Sequence, residues 1–276
     1  MRYLMAPLLL SIVIPTYNAE RYIEDTLVSI VNQTFPDFEV VIADGGSSDR
    51  TLDIAKHWLG KRAKIFSESD NGAFDALNKG FENAGGDILC WLNADDVYLS
   101  RDVLETVART CSRDTVPVIY SDFCTMNADG LLNKTHRSWQ MYGHEHYYGA
   151  NIFTGSLFFT KEAWASFRGF SAISPVAFEY GLIDHLFTEF SPKHVGMLAA
   201  ALRIHEDTLT ARYGTEMFSQ IESLRGQYPR KQWTSHIVRL ARLWATGRLG
   251  ETVKNKFRDK HAGVHWKELY FGSRET

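Results

Sequence analysis

Residues Asp87-Ile88-Leu89-Cys90-Trp91-Leu92-Asn93-Ala94-Asp95-Asp96 run from an apolar segment straight into two adjacent carboxylates. A short apolar run bounded by polar residues reads as a buried strand. Ionised carboxylates at the end of such a strand are unfavourable unless a cation or a partner compensates them. Hard oxygen ligands of this kind suit Mg²⁺ or Mn²⁺, which commonly bridge to substrate phosphates. In an open α/β sheet, the carboxyl end of a strand is also where ligands bind. Asn and Asp equally favour turns and helix caps, so a plain surface turn is the competing reading.

The alternation continues on both sides of this stretch. Residues 8–14 form a continuous apolar strand, and residues 19–32 carry Tyr22, Ile23, Thr26, Leu27, Ile30 and Val31 at helical spacing. A second strand is expected over 38–43. Asp49 can cap a helix from about 50 to 59. Residues 63–67 give a third strand, and 73–83 a helix closed by the Gly85-Gly86 pair. The fourth strand spans 87–92, Ser100 can cap a helix to about 110, and 116–120 give a fifth strand. Strands alternating with helices imply a parallel sheet covered on both faces, with right-handed crossovers. After Ser121 the pattern changes. Residues 121–175 are rich in aromatics and glycine, 151–159 read as a strand near a binding surface, 175–190 as a helix and 194–204 as a strand.

Bulk properties narrow the class. A chain of 276 residues with 45% apolar side chains can hold one large α/β domain, or one domain plus an appendage. The formal charge of -3 is unevenly spread: residues 221–276 carry +7 and the rest -10. Such asymmetry suits a tail that faces something anionic. Cys90, Cys111 and Cys124 are odd in number and lack metal-like spacing, so they read as reduced thiols in a cytosolic setting, with Cys90 in the core. Residues 5–14 look briefly like a signal peptide, but one preceding cation (Arg2), the break at Pro15 and the short run favour a first strand. No segment approaches the ~18 uninterrupted apolar residues of a spanning helix.

Polar clusters follow each of the first four strands: Pro15-Thr16-Tyr17-Asn18, Asp44-Gly45-Gly46-Ser47-Ser48-Asp49, Asp70-Asn71-Gly72 with Asn78 behind it, and Asn93-Ala94-Asp95-Asp96. Together they resemble the family 2 glycosyltransferases, specifically over about residues 9–110 and more loosely to about 212. The resemblance implies the GT-A fold: an α/β, mixed and mainly parallel sheet flanked by helices. It implies a domain over 1–212, with a nucleotide-sugar half to about 120 and an acceptor half from 121, followed by a helical basic extension over 213–276. It also implies a nucleotide-diphosphate sugar donor (UDP, GDP or dTDP), a divalent cation, Mg²⁺ or Mn²⁺, and inversion at the anomeric carbon. Carried over by position, Pro15-Thr16-Tyr17 would lie against the base and Asp44 would accept from a base N–H. Asp70, Asn71, Gly72 and Asn78 match the segment beside nucleotide and sugar. Asn93-Ala94-Asp95 matches the Asp-x-Asp element with Asn in place of the first Asp. Asp95 is then the metal ligand, with Asp96 assisting.

Inversion by direct displacement needs a base opposite the leaving group. The family's downstream carboxylate matches Glu179 in Phe178-Glu179-Tyr180-Gly181-Leu182, by register with Tyr180 and Leu182. Asp184 is its rival, and five residues of helix put the two on different faces. Leu202-Arg203-Ile204-His205 resembles the family's Tyr-Arg-x-His ending, so Arg203 would offset phosphate charge. His205 would complete the metal site or touch the diphosphate, with a structural histidine as the alternative. His144-Glu145-His146 lacks a third metal ligand and reads as acceptor-pocket lining or surface. Trp139, Tyr142, Tyr147 and Tyr148 suit stacking on a sugar or core packing.

In the tail, Trp233, Ile237, Leu240 and Trp244 share a stripe with Arg239 and Arg242 off it. A basic, Trp-bearing helix suits a membrane interface, here the inner face of the cytoplasmic membrane, where a lipid-linked or polysaccharide acceptor would be presented. Packing on the domain or in a dimer fits equally, and the oligomeric state is open. A nucleotidyltransferase usually carries a Gly-rich, basic loop after its first strand, which Pro15-Thr16-Tyr17-Asn18 is not. A Rossmann dehydrogenase lacks its G-x-G-x-x-G here. No nucleic-acid-binding module is recognisable. A degenerate nucleotide-sugar-binding module stays open because of Asn93.

Overall fold

The computed structural model describes residues 8–114, 116–141, 152–170, 177–208, 211–213 and 261–272. The first strand, β1 (Leu10–Thr16), is followed by α1 (Ile23–Val31), β2 (Phe38–Asp44), α2 (Thr51–Leu59), β3 (Ala63–Ser67), α3 (Ala73–Glu82) and β4 (Ile88–Trp91). Then come β5 (Val97–Tyr98), α4 (Val103–Asp114), β6 (Val118–Met126), β7 (Leu132–His136), β8 (Leu157–Thr160), α5 (Lys161–Phe167), α6 (Phe178–Glu189), β9 (Lys193–Arg203) and α7 (Trp266–Phe271). Nine strands form one sheet in the order β3-β2-β1-β4-β8-β6-β9-β5, with β7 beside β6.

Period-two alternation splits the core across the sheet. Leu10, Ile12 and Ile14 of β1 pack with Ile23, Leu27 and Ile30 of α1 and with Val103 and Val107 of α4. Val13 faces the other way, onto Leu77 and Phe81 of α3, Ala163 of α5 and Leu182 of α6. Both faces are therefore covered. The strands β3, β2, β1 and β4 are parallel, so their carboxyl ends share one edge.

Beyond β4 the parallel order expected for the fifth strand fails. The late strand β8 pairs antiparallel with β4 and with β6, and so separates them. Sequence alternation alone carries no information about such an insertion. The 151–159 segment divides: Thr154–Ser156 form a 3₁₀ turn before β8, and Asn151 lies outside the described residues. The first helix begins at Ile23, after a turn in which Tyr22 and Ile23 N–H both donate to Ala19 O. The backbone N–H groups of Asn18, Ala19 and Glu20, which a helix start leaves without partners, bond to Ser47 Oγ (2.8 Å), Thr51 Oγ1 (2.7 Å) and Asp49 Oδ2 (3.0 Å) and so join the β1 and β2 loops. The Gly85-Gly86 pair is not a left-handed helix stop. It permits a close approach, since a Cβ on Gly86 would lie 2.6 Å from Ser11 Oγ and 2.7 Å from its backbone nitrogen.

The end of the chain returns to the domain. Leu132 N–H donates to Val264 O (2.8 Å), Gly263 N–H to Leu132 O (2.7 Å) and Trp266 N–H to Gly130 O (3.0 Å). Trp266 and Tyr270 are buried with Val97, Leu99, Met126, Leu132 and Ala201. The amphipathic stretch 232–244 lies outside the described residues. Among the described residues, no helix is long and apolar enough to cross a membrane.

Candidate active site

Four loops meet at the carboxyl edge of β3, β2, β1 and β4. At the end of β1, Pro15 is half-buried, Thr16 is buried, and Tyr17 stands 68% exposed. Asp44 lies beside Thr16 in register at the end of β2. Its carboxylate accepts from Thr16 Oγ1 (3.0 Å), Gly46 N (3.1 Å), Ser47 N (2.9 Å), Ser47 Oγ and Ser67 Oγ (2.7 Å). Burial pushes this carboxyl up, but the hydrogen bonds from Ser47, Ser67 and Thr16 outweigh it and hold it below the ordinary range. A carboxylate offers about four lone-pair sites, and five donors already occupy them. Asp44 thus organises the loop from within, and the base contact expected of it would need one of the three hydroxyl donors to turn away.

Asp70 fastens the next loop. Its Oδ1 accepts from Gly72 N–H at 2.9 Å, and its Oδ2 lies 2.7 Å from where a Cβ on Gly45 would stand. Gly72 has φ +112°, a conformation that L side chains rarely adopt, and it caps α3. Asn71 turns its amide to Asp75 Oδ2 at 3.1 Å. Asn78 also differs from expectation. Its Oδ1 accepts from Phe170 N–H (2.8 Å) and its Nδ2 donates to Phe170 O (2.9 Å), so it ties α3 to the loop after α5.

The Asn93–Asp96 turn separates its two acids. Asp96 is 0% exposed, with Oδ1 accepting Arg203 N–H at 2.8 Å and Oδ2 accepting Asn93 Nδ2–H at 3.0 Å. Burial, then the neighbouring Asp95 charge, push its carboxyl well above the usual range. Both its oxygens face inward, so the assisting-ligand role expected of Asp96 would need one of these bonds to open. Asp95 faces outward at 25% exposure, with Oδ2 2.9 Å from His205 Nε2. His205 Nδ1 accepts Asp207 N–H at 3.3 Å, so its Nε2 carries the proton that reaches Asp95. The His205 ring lies 4.7 Å from that of Tyr22.

Arg203, expected to offset phosphate charge, turns inward. It is 1% exposed, with Nε donating to Asp95 O (2.8 Å), Nη1 to Ala128 O (2.9 Å) and Nη2 to Asp25 Oδ2 (2.9 Å). Its guanidinium carbon sits 4.7 Å from the Tyr22 ring centroid. The side chain is a buried clamp on the Asp95 loop and presents no fork to a phosphate.

Glu179 and Asp184 occupy different surroundings on α6. Burial pushes the Glu179 carboxyl up to about 7. Asp184 accepts from Thr188 Oγ1 at 3.4 Å one turn on. An aromatic chain links the head of α6 to the end of β4: Trp91 to Phe170 at 5.7 Å, and Phe170 to Phe178 at 5.0 Å. Trp139 packs beneath, its carbonyl accepting from Tyr120 Oη at 2.7 Å. Tyr142, His144, Glu145, His146, Tyr147 and Tyr148 lie outside the described residues.

Among the described residues, no three His, Cys, Asp or Glu side chains cluster as a closed metal cage. The Asp95 carboxylate would suit a divalent cation that also takes phosphate and water, and His205 would join it only once Nε2 gives up the proton it shares with Asp95. Two residues with roles here escaped the sequence reading. Ser67 ends β3 in register with Asp44, a pairing that strand alignment reveals. Asp25 partners Arg203 across 178 residues and has no sequence signal.

The model of glycosyl transferase family 2 matches residues 11–171. The chain belongs to this family. It is 45% identical over 107 residues to a PGL/p-HBAD biosynthesis glycosyltransferase of Mycobacterium bovis, a stretch covering 38% of this chain and 42% of that protein. The match thus spans less than half the length of that relative. Among solved structures, S. aureus TarS 1-349 in complex with UDP-GlcNAc aligns with TM-score 0.60 at 20% identity, covering 73% of this chain and 60% of that one. The mannosyltransferase PcManGT from Pyrobaculum calidifontis, in complex with GDP-Man and Mn²⁺, aligns with TM-score 0.59 at 17% identity, covering 80% and 65%. The fold is GT-A.

Proposed function

We propose that this chain transfers a sugar, with inversion, from a nucleotide-diphosphate sugar to a hydroxyl of a lipid-linked or polysaccharide glycan. The observation that carries the reading is the division of labour among the carboxylates around β4. Asp96 is sealed inside, Asp95 points out beside His205, and Glu179 is held near neutrality. A group with a pKa near 7 is matched to accept a proton at neutral pH. Glu179 takes the acceptor hydroxyl's proton as that oxygen bonds to the anomeric carbon. The bond from that carbon to the phosphate oxygen breaks, and the nucleoside diphosphate leaves. Asp95, joined by His205 once its Nε2 proton has left, would hold Mg²⁺ or Mn²⁺, which when bound neutralises the growing phosphate charge. Tyr17 offers its exposed ring to the base. UDP and GDP are the favoured donor nucleotides, by analogy with the ligands named for TarS and PcManGT.

Asn93 does not mark a decayed site. Its amide donates to Asp96 Oδ2, where an aspartate would set a second carboxylate against a buried one. The basic 213–276 tail is proposed to bring the enzyme to the inner face of the cytoplasmic membrane. Liposome flotation against a chain ending near Thr215 tests that; equal flotation sinks it. The central test is a thermal-shift panel of UDP-, GDP- and dTDP-sugars with Mn²⁺, Mg²⁺ or EDTA. A metal-dependent shift for one nucleotide, absent in Asp95→Ala, supports the transferase. No shift with any donor removes it.

A further inference from the structure

We propose that residues 261–272 are a strap that positions the Asp95 loop, with Asp25 as its junction. Its functional part rests on the reading of Asp95 and His205 as the donor-cation pair. Asp25, in the first turn of α1, uses its two oxygens separately. Oδ2 accepts from Arg203 Nη2 at 2.9 Å and Oδ1 pairs with Lys267 Nζ at 3.0 Å. Arg203 in turn holds Asp95 O through Nε and Asp96 Oδ1 through its backbone N–H, each at 2.8 Å. An unbroken run of charged contacts therefore leads from α7 to the loop that bears Asp95, ending two residues from His205.

Packing reinforces the same path. Trp266 and Tyr270 bury against Val97 and Leu99, which directly follow Asp96, and against Ala201, which directly precedes Leu202-Arg203. The strap thus presses on both strands from which the site's residues emerge, while Tyr270 Oη donates to Ser29 O of α1 at 2.9 Å. A buried arginine needs its counter-charge held in place, because an uncompensated guanidinium would pull the loop toward solvent. Lys267 fixes the carboxylate that performs this task. Asp25 and Lys267 are positioning residues: they act through Arg203 and touch no reacting atom.

Hydrogen exchange of the ligand-free full chain reads the strap directly. Asp25→Asn is expected to speed amide exchange across residues 93–98 and 203–205 by about tenfold or more, and Lys267→Met by about threefold, with Lys267→Arg restoring protection. Calorimetric titration with UDP or GDP, with and without Mn²⁺, reads the consequence. The Mn²⁺-dependent gain in affinity should fall at least about fivefold in Asp25→Asn while metal-free affinity holds within about twofold. Unchanged exchange in both folded variants overturns the strap, and Lys267→Met decides alone if Asp25→Asn does not fold. Faster exchange with equal losses in both titrations overturns the positioning role in favour of plain scaffolding. A wild-type chain that binds neither nucleotide with Mn²⁺ sinks the proposed function instead, and the exchange result still judges the strap.

Discussion

The Asp44 loop and the Asp95 loop lie on adjacent ends of one parallel sheet, and they use aspartate in opposite ways. Asp44 is saturated by five protein donors and is pulled inward. Asp95 has a single imidazole on one oxygen and faces outward. Within the second loop the same contrast recurs one residue apart, between Asp95 and the sealed Asp96. Acid at a strand end marks the edge where ligands meet the fold. Which acid meets the ligand is decided by how many donors its own backbone has already aimed at it.

The sharpest way to break the comparison is Asp95→Ala. On the proposed metal role, several kcal/mol of charge stabilisation would rest on this outward group, and metal-dependent turnover should fall roughly 10³-fold or more. The melting temperature should move by only about 2–4 °C, since the change removes one partly exposed hydrogen bond to His205 and keeps the backbone contact to Arg203. A loss of folding comparable to the loss of turnover would erase the distinction between the loops. Glu179→Gln comes next. Turnover should drop about 10²–10⁴-fold with nucleotide affinity unchanged in titration, and wild-type activity should climb to a plateau above pH 7.

Asp44→Ala tests the inward side. It strands several loop donors at once and should reduce unfolding free energy by about 2–4 kcal/mol in urea melts, with Asp44→Asn milder. Unchanged stability would mean that Asp44 is no keystone. Glu179 sharpens the comparison through pH. Its folded-state pKa is raised from 4.5 to about 7, so the folded chain binds more protons than the unfolded one across that window. Stability attributable to this group therefore falls as pH rises from about 4.5 to 7. Glu179→Gln should be more stable than wild type at pH 8, by on the order of 1–3 kcal/mol, with the gap closing near pH 4.5. The smallest effect is expected for Asn78→Ala, about 1–2 kcal/mol by the same melts, from two lost bonds to Phe170.

Much of this fold was legible in the residues. Apolar runs and helical spacing placed β1 to β4 and α1 to α3 in order, and the polar clusters after those strands marked the right edge. The insertion of β8 was not legible, because strand order is decided by pairings between residues some 70 apart, such as Ile88 with Thr160. The two-residue β5 is too short to carry a pattern. In the site, residue type pointed to chemistry, but side-chain direction was hidden. Arg203, Asp96, Asp44 and Asn78 all lie at the expected positions and all turn inward. Their partners, Asp25, Ser67 and the Phe170 backbone among them, are set by the tertiary fold.

One pairing bears on how the protein is made. Among the described residues, Val97 and Tyr98 ladder only with Ala201 and Ala200. Translation proceeds at about 5–20 residues per second, so these two strands leave the ribosome roughly 5–20 s apart. A nascent chain can complete β1 to β4 while Asp95 still lacks the strand that anchors its loop. Ribosome-bound chains ending near residue 190 should remain protease-sensitive at residues 93–98, and chains carrying residue 203 beyond the exit tunnel should resist. The Asp95 loop is thereby anchored only after most of the chain has been made, so the first four strands alone leave this edge of the sheet unfinished.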